Sequence, residues 1–192
     1  MRKIMFLDID GVLNHETGYR NGNCKPYEMN GHIYEAFDPT SKELLNKLIE
    51  LTGADIVISS SWRSDGLGAM QELWSHENML GEVIGITPSL PAVFSASLDC
   101  LGSTSMPRGI EIDAWLNSRG YRHINGDSVQ QEKYMEQSKI SQYVIIDDDS
   151  DMLYNQSKHF VYVLDWSSNV SGFNMRCYNK ALAILSQTVI EL

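Results

Sequence analysis

Short apolar runs alternate along the chain with segments of helical spacing. Residues 3–7 form the first run, a buried strand that enters a polar, glycine-containing turn from Asp8 to Gly11. Residues 14–37 are rich in Gly, Asn and Tyr and show no clean period. A well-signalled helix follows, with Asp38 as cap, Pro39 at its first position, Leu44, Leu45, Leu48 and Ile49 on one face, and Gly53 at its end. Ile56-Val57-Ile58 predicts a second buried strand, which runs into Ser59-Ser60-Ser61-Trp62-Arg63. A helix near 67–77, a strand from Val83 to Ile86 and a Pro/Ser/Gly-rich loop over 87–107 come next. Another helix starts after Pro107, with Ile112, Trp115 and Leu116 on one face and Gly120 at its end. Residues 121–141 are polar and weakly patterned. Tyr143 to Ile146 and Phe160 to Leu164 read as further strands, and 174–187 as a closing helix.

Strands that alternate with helices predict βα units around a mostly parallel sheet. Three of the strands end in polar residues, and ligands bind at the carboxyl ends of strands in open α/β sheets. These ends are therefore expected to meet in one crevice.

Composition narrows the picture. The 192 residues are 43% hydrophobic and 21% charged, which fits one globular domain, here 1–192, and excludes a disordered chain or a disulfide-stapled scaffold. Lys and Arg number 15 against 25 Asp and Glu, a formal charge of −10. That balance argues against a protein that tracks an extended nucleic-acid backbone, which requires clustered cations. It leaves room for a site that takes one phosphate group. Cys24, Cys100 and Cys177 show no ligand spacing and read as reduced thiols, giving a cytoplasmic expectation. The apolar run Ile4 to Leu7 is too short for a secretory leader, and no stretch has the length of a membrane span.

The candidate chemistry lies at the strand ends. Asp8 and Asp10 stand at i and i+2 around the first end, with Gly11 free to turn the chain behind them. The fourth strand closes on Asp147-Asp148-Asp149, with Asp151 just beyond; consecutive acids at a buried edge are costly without a cation. Neither cluster fits a calcium-binding EF-hand loop, because the required Gly and Glu positions hold other residues. The serines after Ile58 offer hydroxyl and amide donors to an anion. Arg108 precedes a helix, an end where the dipole prefers an acid, so its placement makes sense if both face a bound anion. Together these groups suit a phosphoryl centre. The histidines stand at no ligand spacing and read as surface or packing residues. Tyr19, Tyr27 and Tyr34 are open to base stacking or to packing, and Trp62-Arg63 to substrate contact or to a helix start.

The ordered segments FLDIDGVLN, VISSSWR, PRGIEIDAWL and YVIIDDDSDM resemble the haloacid dehalogenase (HAD) superfamily of aspartate-nucleophile phosphatases. They look most like the HAD domain of Swiss-army-knife RNA repair proteins. The resemblance implies a three-layer, Rossmann-like α/β fold with only small cap insertions, of which 14–37 would be one. It implies Asp8 as nucleophile and Asp10 as general acid and base, with Ser59 or Ser60 binding a phosphoryl oxygen. Arg108 would stabilise the transferring group, with Lys133 and Lys139 as alternative basic residues. Mg²⁺ would be held by Asp8, the Asp10 carbonyl and Asp147, completed by Asp148 or Asp151. The implied substrate is a phosphorylated small molecule or a nucleic-acid end, with no membrane partner. The alternative is a catalytically silent HAD-fold module that binds a phosphate or nucleotide, and the presence of both Asp8 and Asp10 favours the enzyme.

Overall fold

The computed structural model describes residues 2–90, 106–118, 140–163 and 171–187. Its centre is an all-parallel sheet of five strands, β1 (Arg2–Leu7), β4 (Asp55–Ile58), β5 (Val83–Ile86), β6 (Ile140–Asp147) and β7 (Phe160–Tyr162), in the spatial order β5-β4-β1-β6-β7. β1 lies in the middle, with Phe6 beside both Val57 and Ile145 and Leu7 beside both Ile58 and Ile146. The central runs are apolar at consecutive positions because both faces of the sheet are covered. Successive side chains alternate between those faces.

Met5, Leu7, Ile56, Ile58, Val144 and Ile146 point to one side and pack with α2 (Pro39–Thr52), α3 (Leu67–His76) and α5 (Met175–Leu185). Ile4, Phe6, Val57, Tyr143 and Ile145 point to the other and pack with Ile112, Trp115 and Leu116 of α4 (Arg108–Ser118). Phe6 meets the Trp115 and Tyr143 rings edge-on, at centroid distances of 5.3 and 6.0 Å. The result is three layers, helices on sheet on helix. α2 starts where its signals placed it, with Asp38 accepting from Thr40 and Ser41 N–H and Gly53 in the left-handed region at its end.

Two stretches differ from the sequence reading. β6 begins at Ile140, three residues before the apolar run, because Gln142 is buried and bonds the Ile184 carbonyl while Ser141 bonds that of Arg2. The segment 14–37, which shows no period, carries a short helix α1 (Glu16–Arg20) and an antiparallel hairpin of β2 (Pro26–Met29) and β3 (His32–Glu35). Its turn is Asn30-Gly31, both with positive φ. The excursion leaves and returns at one point, where Asp38 N–H donates to the Leu13 carbonyl at 2.7 Å. His15 is a packing residue: buried, it accepts the Gly18 N–H and bonds Ser41 at 3.1 Å. Gly120, Leu164, Cys100 and most of 87–107 and 121–141 lie outside the described residues. Cys24 and Cys177 are buried and unpaired. Among the described residues no helix is long and apolar enough to cross a membrane.

Candidate active site

β1 and β6 lie side by side, so the residues just past their ends are brought together. Asp8 N–H still donates to the Ile146 carbonyl at 3.0 Å, extending the ladder by one bond and fixing the backbone of Asp8 against β6. Asp147 ends β6 itself and is fully buried, while Asp8 is 5% exposed. Carboxylate oxygens of Asp8, Asp147 and Asp148 all fall within 4.8 Å of one another. Gly11, at φ +71°, lets the Asp148 carboxylate in, since a Cβ at this position would overlap it.

Packing carboxylates this closely raises the cost of ionising them. Burial, and then the Asp8 charge, push the Asp147 carboxyl up to about 8. The same two causes push Asp148 up to about 6. Asp8 is itself raised, by burial first, with Arg108 opposing. Asp147 Oδ2 is buried without a hydrogen-bond partner among the described residues. Three hard oxygen donors, one of them buried and unsatisfied, fit a divalent cation that prefers oxygen. Asp151 does not join them. Its carboxylate accepts the Arg108 N–H at 2.7 Å and so caps α4 from the loop after β6, adding to the Glu111 acid of the first turn.

Arg108 reaches into the cluster from the first position of α4. Its Nη1 is 3.2 Å from Asp8 Oδ1 and also donates to the Ser59 carbonyl, and its Nε is 3.7 Å from Asp147 Oδ2. Burial works against this charge, but Asp8 and Asp147 outweigh it and raise its pKa above the usual arginine value. Close approach at Gly109 seats the helix. A Cβ there would come within 2.5 Å of Leu153 N, and Gln156 ties the Gly109 carbonyl to the same loop at 2.8 Å. Lys133 and Lys139, the alternative cations, lie outside the described residues.

Ser59 and Ser60 follow β4 and are both fully buried. The Ser60 hydroxyl accepts the Trp62 N–H at 3.4 Å and lies near enough to Asp8 to favour its ionised form. Ser59 Oγ has no partner among the described residues. Asp10 stands apart from the carboxylate cluster. It is exposed, and its two oxygens accept from Asn14 Nδ2 and Trp62 Nε1, each at 3.0 Å. The Trp62 ring in turn lies 5.3 Å from that of Tyr34, whose hydroxyl bonds Asp65 at 2.8 Å. Tyr27 stacks on His76 at 4.6 Å and is engaged in packing, while Tyr19 is exposed and bonds Glu35. A cleft of about 420 Å³ lies between the end of β5 and α4, lined by Arg63, Thr87, Trp115 and Ser118 among others and by none of Asp8, Ser59, Ser60 or Arg108.

The family of the HAD domain in Swiss Army Knife RNA repair proteins matches residues 4–167. The chain belongs to this family. No curated protein matches it significantly. The HAD domain accounts for the parallel sheet of five strands with helices on both faces, and the matched span takes in the ends of β1, β4 and β6 and the start of α4. Two residues of this HAD domain take parts that the sequence reading did not give them. Arg63, open there to substrate contact or a helix start, donates to the Ser59 and Ser60 carbonyls and pairs with Glu111, and Asp151, an alternative metal ligand there, caps α4. The Arg63–Glu111 and Arg108–Asp151 contacts join residues more than forty positions apart, so no local signal marks them.

Proposed function

We propose that this HAD domain is a Mg²⁺-dependent phosphomonoesterase that works through an aspartyl-phosphate. The observation that carries the reading is Asp8 itself. It lies against Arg108 and Ser60 and within ligand distance of Asp147 and Asp148. An attacking carboxylate, an anion-binding charge and a metal-binding pair thus share one point.

Asp8, Asp147 and Asp148, with the Asp10 carbonyl, would hold Mg²⁺, which when bound offsets negative charge on the phosphoryl group. An Asp8 oxygen attacks phosphorus, and the bond from phosphorus to the leaving oxygen breaks. Asp10 gives that oxygen its proton. Asp10 then takes a proton from water, which attacks phosphorus and releases Asp8. Arg108 stabilises charge on the phosphoryl oxygens, and the Ser59 and Ser60 hydroxyls bind them.

The substrate is a phosphorylated nucleotide or nucleic-acid end. The family name supports that class, and the small hairpin supports a site open to the end of a larger molecule. The charge of −10 argues against contact with a long backbone. A screen with Mg²⁺ across nucleotides, sugar phosphates and oligonucleotides phosphorylated at either end tests this. Release of phosphate from the nucleotide or oligonucleotide group is the expected result, and no release from any substrate would overturn the reading.

Trp62 supplies a finer test of Asp10. Trp62→Phe keeps a ring beside Tyr34 but removes the indole N–H that holds the Asp10 carboxylate. Turnover should fall about tenfold for alkyl phosphates, whose leaving oxygen needs a proton, and much less for aryl phosphates, whose leaving group does not. Equal losses on both substrates would separate Trp62 from the general acid.

A further inference from the structure

The Arg63 side chain is 11% exposed, and its guanidinium bonds protein groups. Nη1 donates to the Ser59 carbonyl at 2.6 Å and to the Ser60 carbonyl at 2.9 Å, and Nη2 pairs with Glu111. The other Glu111 oxygen accepts from Leu90 N–H at 3.1 Å. Glu111 stands one turn along α4 from Arg108, and Arg108 donates to the same Ser59 carbonyl. One oxygen therefore joins both cations, and the ion pair ties the serine turn to the helix that carries Arg108.

A carbonyl held at a fixed direction fixes its whole peptide plane, because the peptide unit is rigid. Pinning the Ser59 and Ser60 carbonyls sets two consecutive planes and the direction of the Ser60 Cα–Cβ bond between them; the first plane, with the Ser59 N–H that donates to the Leu7 carbonyl at 2.9 Å, sets that of Ser59. The Ser60 hydroxyl accepts the Trp62 N–H at 3.4 Å, and the buried Ser59 hydroxyl is partnerless among the described residues. Glu111 offsets the Arg63 charge while Nη1 holds the two serine carbonyls. A buried ion pair is also a poor source of stability compared with apolar residues of similar volume.

We propose that Arg63, braced by Glu111, is a positioning residue that sets Ser59 and Ser60 for phosphate before it arrives. The proposal rests on the phosphatase reading above. It is tested on the full 192-residue chain with two double variants, Arg63→Glu with Glu111→Arg, and Arg63→Met with Glu111→Leu. The first restores a salt bridge but puts a carboxylate where the carbonyl donors stood, and the second removes both charges.

Melting temperature and the affinity for inorganic phosphate in Mg²⁺ are measured together. Melting temperature should fall, because the Ser60 carbonyl and the Leu90 N–H lose partners, while in the folded variant phosphate affinity drops at least about tenfold and turnover of an aryl phosphate about a hundredfold. A folded double variant with wild-type phosphate affinity would overturn the positioning role and leave the phosphatase reading intact. A wild type that fails to bind phosphate would overturn both. If neither double variant folds, Arg63→Lys decides. It keeps the charge opposite Glu111 but offers one ammonium in place of the fork, so affinity should still fall several-fold, and an unchanged affinity rejects the clamp.

Discussion

Asp8→Asn is expected to lower turnover of an aryl phosphate by at least about a thousandfold while the fold persists. The amide has nearly the shape of the carboxylate but cannot attack phosphorus. Its effect on stability should be small because two changes oppose each other. Arg108 loses a partner at 3.2 Å, and Asp147 and Asp148 lose a charge that makes their own ionisation costly. Melting temperature and far-ultraviolet circular dichroism check the fold, and phosphate release checks the chemistry. Retained turnover in a folded variant would remove Asp8 as nucleophile. A variant that loses both fold and turnover would instead make Asp8 a structural acid, contrary to its position past the end of β1.

The second large effect joins metal and pH. In the folded metal-free protein, Asp147 titrates near about 8 and Asp148 near about 6, against 3.8 for an ordinary aspartate. Between 3.8 and about 8 the folded state therefore holds more protons than the unfolded state. Stability conferred by these groups is full below 3.8 and is lost as pH rises through the folded values. Asp147 alone contributes a slope of up to about 1.4 kcal/mol per pH unit in that window. Mg²⁺ binds the ionised carboxylates and should restore what the pH rise removes, so its stabilising effect must grow with pH. Scanning calorimetry at about pH 5.5 and about pH 8 with and without Mg²⁺ is expected to show a larger metal-induced rise at the higher pH. A metal effect equal at both values would contradict the carboxylate site, and turnover indifferent to a chelator would sink the metal requirement.

The parts of this molecule that were legible in the sequence are those whose signals are local. β1, β4 and β6 announce themselves as apolar runs because both faces of a covered parallel sheet are apolar, and their polar ends fall where ligands gather. α2 carries its own cap, first-turn proline and terminal glycine. The grouping of Asp8 with Asp147 and Asp148 follows from two neighbouring strand ends, although no spacing rule links residues 139 positions apart. The hairpin was hidden because β2 and β3 are four residues each and their exposed faces are mixed, so period is weak. Its turn was nonetheless spelled out: Asn30-Gly31 is a strong hairpin signal. The capping of α4 by Asp151 and the pairing of Arg63 with Glu111 had no comparable sign. Each depends on packing between distant segments, which sequence pattern does not encode.

The neck at Leu13 and Asp38 has an evolutionary consequence. Everything between these residues begins and ends at one backbone hydrogen bond of 2.7 Å, while the acids at the strand ends belong to the sheet. Insertions, deletions or a replaced hairpin within that loop would alter what reaches the opening, and would reach Asp10 through Asn14 and Tyr34, without shifting Asp8, Asp147 or Asp148. Descendants of one ancestral sheet can diverge in the molecules they serve by exchanging this appendage while the three strand-end acids stay in place.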